Sequence, residues 1–157
     1  MKIIQKIIDF ILSFFSIFSS RKEKNSYSYK KKDFLLTKKE LSFYHFLQEN
    51  LADKYSIMCS VRVIDIIEPV DKKDFTAKAK IIQKHIDFLV CTKWYLNPVL
   101  AIELNDWTHR SKDRYERDNF LDLAFQSAGL PLLFVSTRDI QKKEYVRSLL
   151  SEFVDLK

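Results

Sequence analysis

Two acids stand out in this chain because of what surrounds them. Asp87 lies in the run His85-Ile86-Asp87-Phe88-Leu89-Val90, and Glu103 in Val99-Leu100-Ala101-Ile102-Glu103-Leu104. Short apolar runs of this kind fit strands of a buried sheet, where an ionised carboxylate is costly unless something offsets it. A divalent cation would offset two of them on adjacent strands facing the same side. Mg²⁺ or Mn²⁺ suits such a pair, since hard cations take oxygen ligands and leave positions for water and a substrate phosphate. The chemistry would be polarisation of a phosphoryl group and activation of a water. The competing structural reading pairs the acids with Lys84, Arg114 or Arg117, or sets them on a solvated edge.

The elements that would position these acids can be read outward from them. Thr37-x-x-Glu40 is a capping box that opens a helix, with Leu41, Phe43, Tyr44, Phe46, Leu47 and Leu51 at helical spacing to about Ala52. Residues 57–67 alternate as a strand, and residues 68–83, with Pro69 and a cluster of lysines, read as a connection. The two acidic strands follow. A long helix then runs from about Arg110 to Ala128, with Gly129 at its C-terminal cap and Pro131 just beyond. Leu132 to Val135 reads as a strand, and Thr137 as the cap of a last helix to about Val154. The order α-β-β-β-α-β-α predicts an α/β domain with a mixed sheet and helices on both faces.

Composition agrees with that class. At 157 residues the chain holds one ordinary core and an appendage, and 46% hydrophobic content is too high for disorder. A single glycine and three prolines are too few for a many-hairpin β sandwich. Cys59 and Cys91 are far apart and outside any C-x-x-C pair, so they read as buried thiols.

The net charge of +6 is not spread over the domain. Residues 21–32 carry six Lys and Arg against one Glu, and residues 1–20 carry Lys2 and Lys6 against Asp9, so the remainder is neutral. Residues 1–20 read as a hydrophobic amphipathic helix with Lys2, Gln5, Lys6, Asp9, Ser13 and Ser16 in one polar stripe. That pattern predicts a membrane anchor followed by a basic linker, residues 21–34, that faces anionic lipid and keeps the rest of the chain cytoplasmic. A cleaved signal peptide and a helix packed on a protein partner are the alternatives, the former weakened by a poor small-residue cleavage site around Phe18. Residues 35–157 form the expected catalytic domain. Nucleic-acid contacts would have to come from local clusters such as Lys72, Lys73, Lys78, Lys80 and Lys84.

Four ordered blocks, LLTKKELSFYHFL, KHIDFLVC, PVLAIELNDWTHR and ERDNFLDLAFQSAGLPLLFV, resemble the family called domain of unknown function 2726. More widely they resemble the PD-(D/E)XK restriction-endonuclease-like nucleases, including the very-short-patch-repair-like branch. The resemblance implies an αβββαβ core. It makes Glu40 the first-helix acid, Asp87 the central aspartate and Glu103 the acid of the E-x-K element. Asn105 stands where that pattern has lysine, so the usual cation that aids the water or the transition state is absent from the strand. His109 is the candidate to replace it as a general acid or base, with Lys84 behind it. Arg117 and Asp118 read as a positioning salt bridge or phosphate contact. Trp94, Tyr95 and Trp107 could stack on bases or simply edge the core.

These readings combine into one expectation: a membrane-held, Mg²⁺- or Mn²⁺-dependent nuclease, with DNA placed ahead of RNA as substrate. The alternative is a nuclease-fold scaffold that binds nucleic acid or membrane without turnover.

Overall fold

The computed structural model describes residues 5, 6, 8, 27–105 and 112–157, the last stretch with side chains from residue 115. The chain divides into two compact units, Met1–Asp33 and Phe34–Lys157. Gln5, Lys6 and Ile8 are helical, and the rest of the expected amphipathic helix and most of the basic linker lie outside the described residues. Among the described residues no helix is long and apolar enough to cross a membrane.

The second unit is a four-stranded mixed sheet with helices. Its elements in chain order are α1 (Lys38–Asn50), β1 (Tyr55–Arg62), a 3₁₀ turn (Val63–Asp65), α2 (Phe75–Ile82), β2 (His85–Thr92), β3 (Pro98–Asn105), α3 (Lys112–Ser127), β4 (Leu132–Ser136) and α4 (Lys143–Ser151). The strand order is β1-β2-β3-β4. The first two pairings are antiparallel, whereas β3 and β4 run parallel, as the helical crossover α3 between them requires.

Strand alternation explains the two cores. Phe88, Val90, Leu100 and Ile102 pack with Phe43, Phe46 and Leu47 of α1 and with Val146 and Leu150 of α4. Leu89, Cys91 and Ala101 pack with Ile81 of α2 and with Leu121 and Phe125 of α3. A sheet buried on both faces accounts for the continuous apolar runs around Asp87 and Glu103. Both cysteines are free thiols, Cys91 buried and Cys59 half-buried.

Local chemistry sets the boundaries and corrects three expectations. The stretch read as a connection contains α2, started by Asp74, whose side chain accepts the Ala77 N–H at 2.8 Å, and anchored by buried Ile81. The strand read to residue 67 ends at Arg62, where the chain enters the 3₁₀ turn and Arg62 grips Asp65 through two hydrogen bonds of 2.8 and 2.9 Å. Thr137 does not cap the last helix: its N–H donates to the Asn105 carbonyl at 2.9 Å, continuing the sheet, and α4 starts at Lys143.

Two other signals hold. The capping box at Thr37 is complete, with the Glu40 N–H on Thr37 Oγ1 at 3.3 Å and the Thr37 N–H on Glu40 Oε2 at 2.6 Å. Gly129 takes φ +70 after α3, a left-handed conformation that glycine adopts without strain.

Candidate active site

The site forms where β2 and β3 stop pairing. Their ladder runs through Leu89–Ala101 and Phe88–Ile102, and the next residues in that register are Asp87 and Glu103. The two acids therefore face each other across adjacent strands. In place of a backbone partner, the Leu104 N–H donates to Asp87 Oδ2 at 2.7 Å. On the other side of β2 the register passes through Cys59–Phe88 and Val61–Ile86, and Ser60, which falls between them opposite Asp87, has φ 54. Irregular backbone on one flank and an open ladder on the other leave the Asp87 carboxylate room that a regular strand would deny it.

Glu103 is nearly sequestered, at 5% exposure. Arg117 from α3 donates to its Oε1, while Oε2 is buried and has no hydrogen-bond partner among the described residues. Burial, and next to it the Asp87 charge, push the Glu103 carboxyl up to about 7, against the opposing pull of Arg117. Burial also raises Asp87, partly countered by the Leu104 N–H, with Glu40 adding to the rise. The Asp87 charge thus makes Glu103 harder to ionise, as expected of a buried carboxylate beside another acid.

The acids open into a cleft of about 740 Å³ whose wall includes Lys80 of α2, Lys84, and Glu116, Arg117 and Phe120 of α3. Lys84 Nζ sits 5.4 Å from the centre of the Phe120 ring, a cation–π contact that holds its charge at the rim. The helix absent from the sequence reading is what brings Lys80 here. Its signals were present: Asp74 as an N-cap followed by Phe75-Thr76-Ala77-Lys78-Ala79-Lys80-Ile81-Ile82, alanine-rich with an apolar end. Glu116 had no distinguishing signal of its own.

The remaining candidates separate into near and far. Glu40 is close enough to raise Asp87, yet its Oε2 is held in the capping box. Asn105 is buried at 7% exposure and its Nδ2 donates to Asp118 Oδ2 at 3.3 Å, so it braces β3 against α3 and does not line the cleft. Lys72, Lys73 and Lys78 are exposed and also lie off the cleft wall. Trp94 and Tyr95, 86% and 84% exposed, occupy the β2–β3 hairpin tip, roughly 20 Å along the strand from Asp87. His109, Trp107 and Arg114 lie outside the residues whose side chains are described.

A divalent cation fits this donor set. Two carboxylates from adjacent strands, one with an orphaned buried oxygen, match the one or two protein carboxylates by which Mg²⁺ is usually bound, the remaining positions being left to water and substrate oxygens. Among the described residues no group of three or more His, Cys, Asp or Glu could hold an ion, and Asp87 and Glu103 are the carboxylates that the ladder brings opposite each other.

No curated protein and no solved structure matches the chain. The family described as "Protein of unknown function (DUF2726)" matches residues 21–153, which include the whole sheet, α1 to α3, the cleft, and α4. The chain belongs to the DUF2726 family.

Proposed function

We propose that this protein is a metal-dependent phosphodiesterase acting on nucleic acid, DNA ahead of RNA, with a PD-(D/E)XK-like site on a restriction-endonuclease-like αβββαβ core. The observation that carries the reading is the Asp87–Glu103 pair at the open end of the β2–β3 ladder, with Glu103 Oε2 buried and unpartnered. Asp87 and Glu103 would hold Mg²⁺ or Mn²⁺, which when bound supplies Lewis acidity and a more acidic water. Lys80, Lys84 and Arg117 bring to the cleft wall, beside Glu116, cationic groups that suit a phosphodiester. His109 keeps the proton-transfer role that its position after Glu103 suggests, and residues 1–20 the membrane attachment at the cytoplasmic face; both rest on the sequence pattern alone.

The test is incubation of the purified full-length protein with a mixed panel of single- and double-stranded DNA and RNA, in Mg²⁺, Mn²⁺ or EDTA. Metal-dependent cleavage that D87N and E103Q abolish, with their folds intact, supports the reading. Binding without cleavage by the wild type supports the second reading, a nuclease-fold scaffold. That alternative draws on Asn105, which is engaged by Asp118 and offers the cleft no cation.

A further inference from the structure

Glu103 is held by a group that can leave. Arg117 Nη2 contacts Glu103 Oε1, and Arg117 Nε lies 3.4 Å from Asp118 Oδ1. The two partners differ sharply in burial. The Glu103 side chain is 7% exposed, whereas that of Arg117 is 42% exposed and forms part of the cleft wall. Glu103 is fixed by its strand, which is hydrogen-bonded to β4 from Ala101 to Asn105. The backbone of α3 is fixed by Leu121 and Phe125, buried one and two turns beyond Arg117. What remains free to move is the long guanidinium side chain.

We infer that Arg117 is a displaceable counter-ion, which guards Glu103 while the site is free of metal and turns into the cleft to receive the substrate phosphate when a divalent ion takes its place. The inference rests on the metal reading of Asp87 and Glu103 given above. Two cations on one carboxylate repel each other, most strongly where burial lowers the local dielectric. The more exposed partner, on the more flexible side chain, is the one that yields. A planar guanidinium released at the cleft wall is well suited to bind a phosphodiester through two parallel hydrogen bonds. Lys84 is less suited to such an exchange, because its charge rests on the Phe120 ring. The arrangement couples the Arg117 phosphate contact to metal binding, since the Nη2 that serves Glu103 joins a two-pronged grip on phosphate only once it is released.

The test uses the full-length protein and its R117M, R117K and E103Q variants at about pH 8.5, above the ionisation of Glu103. Mg²⁺ affinity is measured by calorimetry, and affinity for dimethyl phosphate, a minimal phosphodiester, is followed by NMR with and without Mg²⁺. R117M should bind Mg²⁺ about tenfold more tightly than the wild type and lose the gain in dimethyl phosphate affinity that Mg²⁺ confers. R117K, still cationic but without the fork, should keep the weaker Mg²⁺ binding and recover only part of that gain. Unchanged or weaker Mg²⁺ binding by R117M, with the wild type binding normally, overturns the exchange and leaves the metal site standing. Absence of Mg²⁺ binding in the wild type, R117M and R117K alike removes the metal reading and this inference with it. If R117M does not fold, R117K decides: a gain in dimethyl phosphate affinity as large as that of the wild type overturns the phosphate role.

Discussion

The Leu104 N–H donates to the Asp87 side chain at the point where the β2–β3 ladder ends, so a carboxylate takes the place of a backbone carbonyl. Asp87 therefore has a structural role as an acceptor and a chemical role as a charge, and substitution separates the two. D87N keeps an acceptor for the Leu104 N–H and removes the charge; it should melt at or above the wild-type temperature without metal and lose the Mg²⁺-dependent rise in melting temperature. D87A removes the acceptor as well and should cost about 1–3 kcal/mol, read from urea unfolding. Equal stability of the two variants would show that the Leu104 contact contributes nothing.

The pH dependence of the metal-free protein follows from Glu103. Its folded ionisation, near 7, lies above the 4.5 of an unperturbed glutamate, so the folded state binds the proton more tightly. The stabilising contribution is complete below the unfolded value and is lost as pH rises to about 7, to the extent of roughly 3 kcal/mol. Melting in EDTA should show this decline between pH 4.5 and 7, and E103Q should flatten it. A wild-type profile that rises across that window would mean that Glu103 is ionised and well paired.

Ser60 holds a left-handed backbone opposite Asp87. S60G should be neutral or stabilise by up to about 1 kcal/mol, whereas S60V, β-branched at φ 54, should destabilise by more than about 1 kcal/mol. Denaturant midpoints at constant m-value check both. If S60V proves harmless, the irregularity of β1 is not what holds Asp87 in its place.

Cleft lysines and outlying lysines should behave differently. K80Q and K84Q should weaken nucleic-acid affinity and reduce the salt slope by about one for each phosphate no longer neutralised, while K72Q, K73Q and K78Q should do much less. Binding measured across a salt series separates the two groups; a larger effect from the outlying three would move the interface to the start of α2 and the loop before it.

The acids were legible because polar residues in strongly apolar strands carry a free-energy cost that composition alone reveals, and Glu40 was legible because a capping box is local. The mixed sheet followed from the alternation of short apolar runs with a long crossover helix. What escaped was tertiary. The fate of Thr137 depends on whether the β3–β4 ladder extends one residue further, and a good N-cap residue lost to that longer pairing. Helix α2 was obscured by the four lysines in and just before it, Lys72, Lys73, Lys78 and Lys80, which read as a solvated loop. The 3₁₀ turn after β1 depends on the Arg62–Asp65 grip, which alternation of apolar residues does not report. Asn105 drew attention through the pattern it breaks, while its actual partner, Asp118, lies on a helix whose rotation only packing determines.

The pairing of β3 has a mechanical consequence. On its β4 side the strand stays bonded from Ala101 to Asn105, and the Thr137 N–H extends the bonding one step beyond. On its β2 side it lets go after Ile102. Glu103 thus sits on backbone locked by a regular ladder, whereas Asp87 is tied across to β3 by its own carboxylate, so a single side-chain contact bridges the two strands where their ladder ends. Amide exchange should record this asymmetry, with Glu103 and Asn105 on the slow side and the neighbourhood of Asp87 and Ser60 opening first.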